Sequence, residues 1–173
     1  MKIETDRLFL REMKQEDLGA IYTAMLADPV ILKQYPHLFN KEKVRELVLR
    51  NIERYRIFGF GLWVVCLKKT GEIIGGCGLV MHKIDGIIRP EIQYYIRRDK
   101  QRKGYATEAA SAVRDWTFKN TTFHEIYSYL RFPSNDLAKS PRSWVCRYAH
   151  EIDDGNNDNR KLYVISKSDY EEK

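Results

Sequence analysis

The stretch from Ile92 to Lys119, IQYYIRRDKQRKGYATEAASAVRDWTFK, constrains the fold more than any other. Ile92, Tyr94 and Ile96 alternate with Gln93 and Tyr95, the period-two spacing of a strand with two distinct faces. Arg97 to Lys103 then places five cations in seven residues. After Gly104, residues Ala106, Ala109, Ala110, Val113 and Trp116–Thr117 recur on one side of a helix, while Glu108, Ser111, Arg114, Asp115 and Lys119 fall mostly on the other sides. The segment therefore reads as strand, tight basic turn, helix, and the alanines let the helix sit close on the sheet behind it.

That arrangement suits an anion. The first N–H groups of a helix have no partner within it, and the helix dipole makes that end positive. A turn that aims further N–H groups the same way completes a cradle for phosphate, and a glycine lets the backbone approach it. Two familiar phosphate loops do not fit: G-x-x-x-x-G-K-[ST] and G-x-G-x-x-G each need glycines this segment lacks. The six residues Gln101-Arg102-Lys103-Gly104-Tyr105-Ala106 instead resemble the [QR]-x-x-G-x-[GA] loop of the GNAT (GCN5-related N-acetyltransferase) superfamily, and GYATEA (Gly104–Ala109) resembles the form seen in its RimJ/RimL-like branch. TDRLFLREMKQEDL is similar to the family's usual opening, and RKLYVISKSDY to the branch's last strand.

The rest of the chain supplies a matching set of elements. Ile3–Arg11 alternates as a first strand. Gln15–Ala27 is an amphipathic helix with Leu18, Ile21, Tyr22, Met25 and Leu26 on one face, ended by Asp28-Pro29. Asn40 caps a second helix that carries Val44, Leu47, Val48, Ile52 and Tyr55 on one face and stops at Gly59 and Gly61. Leu62–Lys68 and Glu72–His82 are strands joined by a turn at Lys69–Glu72, and Gly75, Gly76 and Gly78 predict a bulge or close packing. A loop through Asp85-Gly86 leads to the central strand from Glu91. His124–Leu130 is a further strand, Pro133-Ser134-Asn135 opens a helical piece, and DDGNNDN (Asp153–Asn159) turns between two late strands, the second at Leu162–Ser166. Lys167–Lys173 reads as a frayed tail. The order β-α-α-β-β-β-α-β-α-β-β predicts a mixed α/β sheet of about seven strands with helices on both faces, and it matches the GNAT order. At 173 residues, with no linker or repeat, the expectation is a single domain over 1–173.

The resemblance implies acetyl-CoA as co-substrate and a primary amine as acceptor, either a protein N-terminus or a small molecule. By that resemblance, Gln101, Arg102, Lys103, Gly104, Tyr105, Ala106 and Thr107 hold the pyrophosphate. Ile96 and Arg97 line the pantetheine arm, which pairs with the central strand like an added strand, and Asn135 bonds the same arm. Acyl transfer needs a neutral amine, so a base is required. Glu91 is the candidate, with Asp85 or a water as alternatives. For the acid that meets the leaving thiolate, Ser140, Ser143 and Tyr148 stand open, because SWVCRYAH (Ser143–His150) resembles the family's S-x-x-V-x-x-K-L-G-F run without its glycine. Tyr35, His37 and Phe39 lie where the family builds its acceptor wall. A second reading is a catalytically silent domain that binds CoA as a sensor or interaction module.

Charge and composition narrow the field further. The net charge is +6, but outside Arg97–Lys103 the Lys and Arg residues are interleaved with Glu and Asp. That cluster holds no aromatic residue, so a nucleic-acid partner ranks last. His37, His82, His124 and His150 lack an i, i+4 pair, and Cys66, Cys77 and Cys146 are scattered, so neither a metal site nor a disulfide framework is expected. No apolar run approaches the ~20 residues of a membrane span. The cytoplasm is the expected compartment, and dimers are common in the resembled family.

Overall fold

The computed structural model describes residues 2–26, 40–84, 86–130, 147–153 and 159–172. Among these, eight strands form one sheet. They are β1 (Lys2–Glu4), β2 (Leu8–Arg11), β3 (Leu62–Leu67), β4 (Ile73–Ile84), β5 (Ile87–Ile96), β6 (Glu125–Leu130), β7 (Arg147–Asp153) and β8 (Asn159–Ser166). The spatial order is β1-β2-β3-β4-β5-β6-β8-β7, and every neighbouring pair is antiparallel except β5 and β6. The helices are α1 (Leu18–Leu26), α2 (Lys41–Phe58), α3 (Tyr105–Asn120) and α4 (Lys167–Glu171), with a 3-10 turn at Gln15–Asp17 ahead of α1. The mixed sheet between helical layers is as expected.

Both faces of the sheet are covered, as the sequence of β5 requires. Ile92 and Ile96 join Leu8, Leu10, Trp63, Val65, Leu79, Ile126 and Tyr163 in a core closed by Ala109, Ala110 and Val113 of α3. Ala106 is half-buried at its edge, and Trp116 meets Trp63 edge-to-face at 5.2 Å. Tyr95 points to the opposite face and joins Leu62, Val64 and Cys66 under Ile21, Met25, Val44 and Val48 of α1 and α2. The alanines bring α3 close; the β-branched residues of β3 and β5 suit the pleated surface beneath.

The boundaries of the helices follow their caps. Asn40 Oδ1 accepts from the Lys43 N–H at 2.9 Å, and Gly59 closes α2 in the left-handed region at φ 75°. The bulge predicted at the glycines lies between β3 and β4, where the register shifts between Val65 and Cys66. A Cβ on Gly75 would stand 2.1 Å from the Tyr95 carbonyl oxygen, so close strand approach, and not turn formation, explains that glycine.

Two expectations are corrected. Ile3–Arg11 is not one strand: Thr5 and Arg7 form a turn, and β1 folds back on β2 with Ile3 opposite Leu10. This accounts for eight strands against the seven expected. The tail is not frayed over Lys167–Glu171, which forms α4 with a capping box between Ser166 and Asp169. Tyr170 of α4 packs on Phe118 at 5.0 Å, and Arg147 pairs with Asp169 at 3.1 Å. The helical piece expected after Pro133 lies outside the described residues, while the late hairpin is present, with Asp153 opposite Asn159.

Candidate active site

The feature from which the site grows is a missing ladder. β6 pairs with β8 at six positions but with β5 at one, Glu91 opposite Tyr127. The Ser128 hydroxyl donates to the Ile92 carbonyl at 3.2 Å, and among the described residues no strand pairing joins β5 to β6 beyond that point. On its other side β5 is fully paired with β4 from Ile84–Ile87 to Gly75–Ile96. The Arg97 N–H donates to the Ile74 carbonyl on that β4 side. Strand alternation therefore turns the backbone polar groups of Tyr94 and Ile96 the other way, into the gap beside β6. This is the splay that a paired pantetheine arm would require.

At the far end of β5 the chain enters the basic loop. Gln101 Nε2 donates to the Ile96 carbonyl at 2.7 Å and folds the loop back on the strand. Arg102 (φ 59°) and Gly104 (φ 80°) both occupy the left-handed region, a curvature that turns successive N–H groups inward. Gly104 is the N-cap of α3 and supplies no capping oxygen; the first helical bond is Glu108 N–H to Gly104 carbonyl at 3.0 Å. The N–H groups of Tyr105, Ala106 and Thr107 thus point out of the helix start. With Arg98, Arg102 and Lys103 exposed around them, they fit the phosphates of a CoA-type ligand.

The Arg97 side chain is held at the base of the loop. Its Nε donates to Asp99 at 2.6 Å, its guanidinium also grips Glu72, and its N–H is held by Ile74. Lys100 joins Glu72 at 2.8 Å. Part of the basic cluster is therefore a structural brace at the base of the loop.

A second brace comes from the N-terminal hairpin. Arg7 stacks over the Tyr105 ring at 4.6 Å, donates to the Lys103 carbonyl at 2.9 Å and forms a two-pronged pair with Glu108. Glu108 also accepts from the Thr5 hydroxyl at 2.5 Å and the Arg7 N–H at 2.9 Å. Burial alone would raise the Glu108 carboxyl, but these hydrogen bonds and the Arg7 charge outweigh it and hold the group below its ordinary range. The two sequence segments that carry the resemblance, near Arg7 and at GYATEA, are thus in direct contact. Composition and periodicity give no signal for that pairing.

Glu91 is buried at 4% exposure on the α1/α2 side of the sheet. One of its oxygens, Oε2, is 2.8 Å from His82 Nδ1 and accepts from Gln93 Nε2 at 2.9 Å. In the sequence His82 stands out only as a possible metal ligand. The pairing of Ile84 with Ile87 puts Val80 opposite Glu91, with His82 one step away on the same face. Beside this pair, the Arg89 guanidinium bonds the Tyr127 hydroxyl and stacks on its ring, and Tyr127 donates to Glu125 at 2.5 Å. Burial, with help from Glu125, pushes the Tyr127 hydroxyl up to about 12. This link ties β5 to β6 at the closed end of the gap.

Of the other catalytic candidates Tyr148 is the one among the described residues, and it is not brought to Glu91. Tyr148 is 49% exposed on β7 and meets Tyr163 edge-to-face at 6.0 Å. The registers Tyr148–Tyr163–Ser128 put it on the α3 face, opposite to Glu91. Asp85, Asn135, Ser140, Ser143, Tyr35, His37 and Phe39 lie outside the described residues. Among the described residues no group of three His, Cys, Asp or Glu side chains could hold a metal.

Comparison with known proteins agrees with this geometry. Residues 7–133 match the family profile described as "Acetyltransferase (GNAT) domain". The chain is 35% identical over 122 residues to YkkB of Bacillus subtilis (strain 168), an uncharacterised protein, covering 70% of this chain and 71% of the relative. It is 30% identical over 131 residues to YnaD of the same organism, named as an uncharacterised N-acetyltransferase, covering 73% and 71%. In fold it is similar to RimL, the ribosomal L7/L12 alpha-N-protein acetyltransferase solved in complex with coenzyme A. There the TM-score is 0.81 at 14% identity, over 98% of this chain and 99% of that one.

Proposed function

The chain belongs to the GNAT acetyltransferase family, and from that premise we propose that it moves the acetyl group of acetyl-CoA to a primary amine by direct attack, with no acetyl-enzyme. The observation that carries this reading is the gap between β5 and β6 opening beside a glycine-capped helix start. Acetyl-CoA, when bound, supplies the acyl group as an activated thioester. The N–H groups at Gly104–Thr107 would hold its phosphates, with Arg102 and Lys103 at the rim. The gap-facing backbone of β5 around Ile96 would align its arm as an added strand. A β5 N–H directed at the thioester carbonyl would favour the charge that develops there. The Glu91–His82 pair would take up the proton released by the acceptor amine. Holding both partners in one cleft supplies much of the rate by proximity.

RimL, by its name, acts on the α-amine of a ribosomal protein. That, together with the branch resemblance, supports a protein N-terminus or a small primary amine as acceptor here. The same reading takes the chain as one domain working in the cytoplasm, where acetyl-CoA and such amines meet, with a homodimer as the expected assembly. The test is a panel of amine acceptors read by acceptor-dependent release of free thiol, beside the rise in melting temperature on adding acetyl-CoA. Release with at least one amine, and loss of the thermal rise in Gly104→Glu, is the expected result. A thermal rise with no release from any amine would instead favour a silent CoA-binding domain.

A further inference from the structure

We propose that His82 is the catalytic base and that Glu91 is its positioning residue, which deepens the reading above and rests on it. Glu91 is poorly placed to meet a substrate. It is 4% exposed, and Oε2 is engaged from two sides, by His82 Nδ1 at 2.8 Å and Gln93 Nε2 at 2.9 Å. The His82 side chain is 40% exposed against 5% for Glu91, so of the two it is the ring that meets solvent. A carboxylate can only accept, so with Glu91 ionised the proton between them sits on Nδ1. That fixes the tautomer in which Nε2 carries the basic lone pair. A buried carboxylate that orients an imidazole through Nδ1–H is the division of labour by which histidine acts as a base in other transferases and hydrolases.

The proton transfer balances within the pair. An acceptor ammonium gives one proton to Nε2, leaving a neutral amine with its lone pair and an imidazolium whose Nδ1–H remains on Glu91. The new positive charge on the ring faces the Glu91 carboxylate. Glu91 and Arg89 of β5 lie near the ring, Arg89 being its cross-strand partner, with Glu125 of β6 beyond. The Arg89 guanidinium is turned away to Tyr127 and Glu125, so it does not compete for Glu91. An α-amino group holds its proton two to three units less tightly than a lysine side chain. A base of this kind therefore favours a chain N-terminus, or another α-amine, over lysine.

Two measurements decide the assignment. The first is the nitrogen NMR spectrum of the labelled His82 ring in the resting protein, which reads the tautomer without any turnover. The expected spectrum has the proton on Nδ1, and Glu91→Gln should alter it. A ring protonated on Nε2 alone overturns the proposal. The second compares His82→Gln with Glu91→Gln in thiol release, using a peptide with a free N-terminus. His82→Gln should lose roughly 10²–10⁴-fold in turnover, with its acetyl-CoA-dependent thermal rise intact as proof of folding. Turnover of His82→Gln within about threefold of the parent, with Glu91→Gln inactive, makes Glu91 itself the base and overturns the proposal. If the parent chain releases no thiol with any amine, the enzymatic reading fails instead, and the tautomer still decides the pair.

Discussion

At the scale of single residues, Gly104 and Glu108 carry the clearest consequences. Gly104 sits at φ 80°, and a Cβ there would stand 3.2 Å from Arg7 Nη2. Gly104→Ala should therefore cost about 1–2 kcal/mol of stability through left-handed strain and weaken acetyl-CoA binding by displacing the Arg7 brace, both readable in one thermal titration. Glu108 makes a pH prediction. Its carboxyl is held below the ordinary value of 4.5, so its contribution is fully present above that value and is lost as pH falls through the lowered one. The melting-temperature gap between the parent and Glu108→Gln should be widest near neutrality and should narrow as the pH falls below the ordinary carboxylate value. A gap that stays constant over that range would mean that the Arg7–Glu108 pair contributes nothing in solution.

At the scale of elements, the sheet was largely legible in the sequence, and the departures have physical causes. The β5–loop–α3 unit was readable because two periodicities, a glycine and a charge run all agreed on it. The split between β1 and β2 was also marked. Ile3 is buried at an odd position and Leu8 and Leu10 at even ones, a parity change that one continuous strand cannot have. The capping box of α4, Ser166 to Asp169, was visible but outweighed by the short, charged tail around it. The splay was not readable at all, since it depends on where β6 stops pairing with β5, a contact between distant segments. The Arg89–Tyr127–Glu125 link pins the closed end of that gap. Tyr127→Phe should cost about 1–2 kcal/mol, because the Arg89 guanidinium loses a partner in a half-buried place. Gly75→Ala should cost more, about 3 kcal/mol or above, because the Tyr95 carbonyl at 2.1 Å belongs to the backbone and cannot move aside. Denaturant midpoints rank the two.

At the scale of the whole molecule, two cores on opposite faces of one sheet share the strands between them, and Tyr55 of α2 packs against both. Binding energy gained at the gap therefore stabilises the folded sheet as a unit. At acetyl-CoA a hundredfold above Kd, linkage gives about 2.7 kcal/mol, a rise of roughly 5–11 °C in a chain of this size. A rise confined to loss of the N-terminal hairpin, with the rest of the sheet unchanged, would show that the brace and the sheet melt separately.

The interrupted ladder also has a consequence for handling the protein. An edge that lies inside a sheet is still an edge, and its backbone can be satisfied by any extended segment that fits the slot. A second molecule's unstructured strand or a stray peptide is such a segment. The ligand-free protein should therefore scatter increasing light on storage at high concentration, and CoA without its acetyl group should suppress this. Shelf life, in that sense, reports whether the slot is filled.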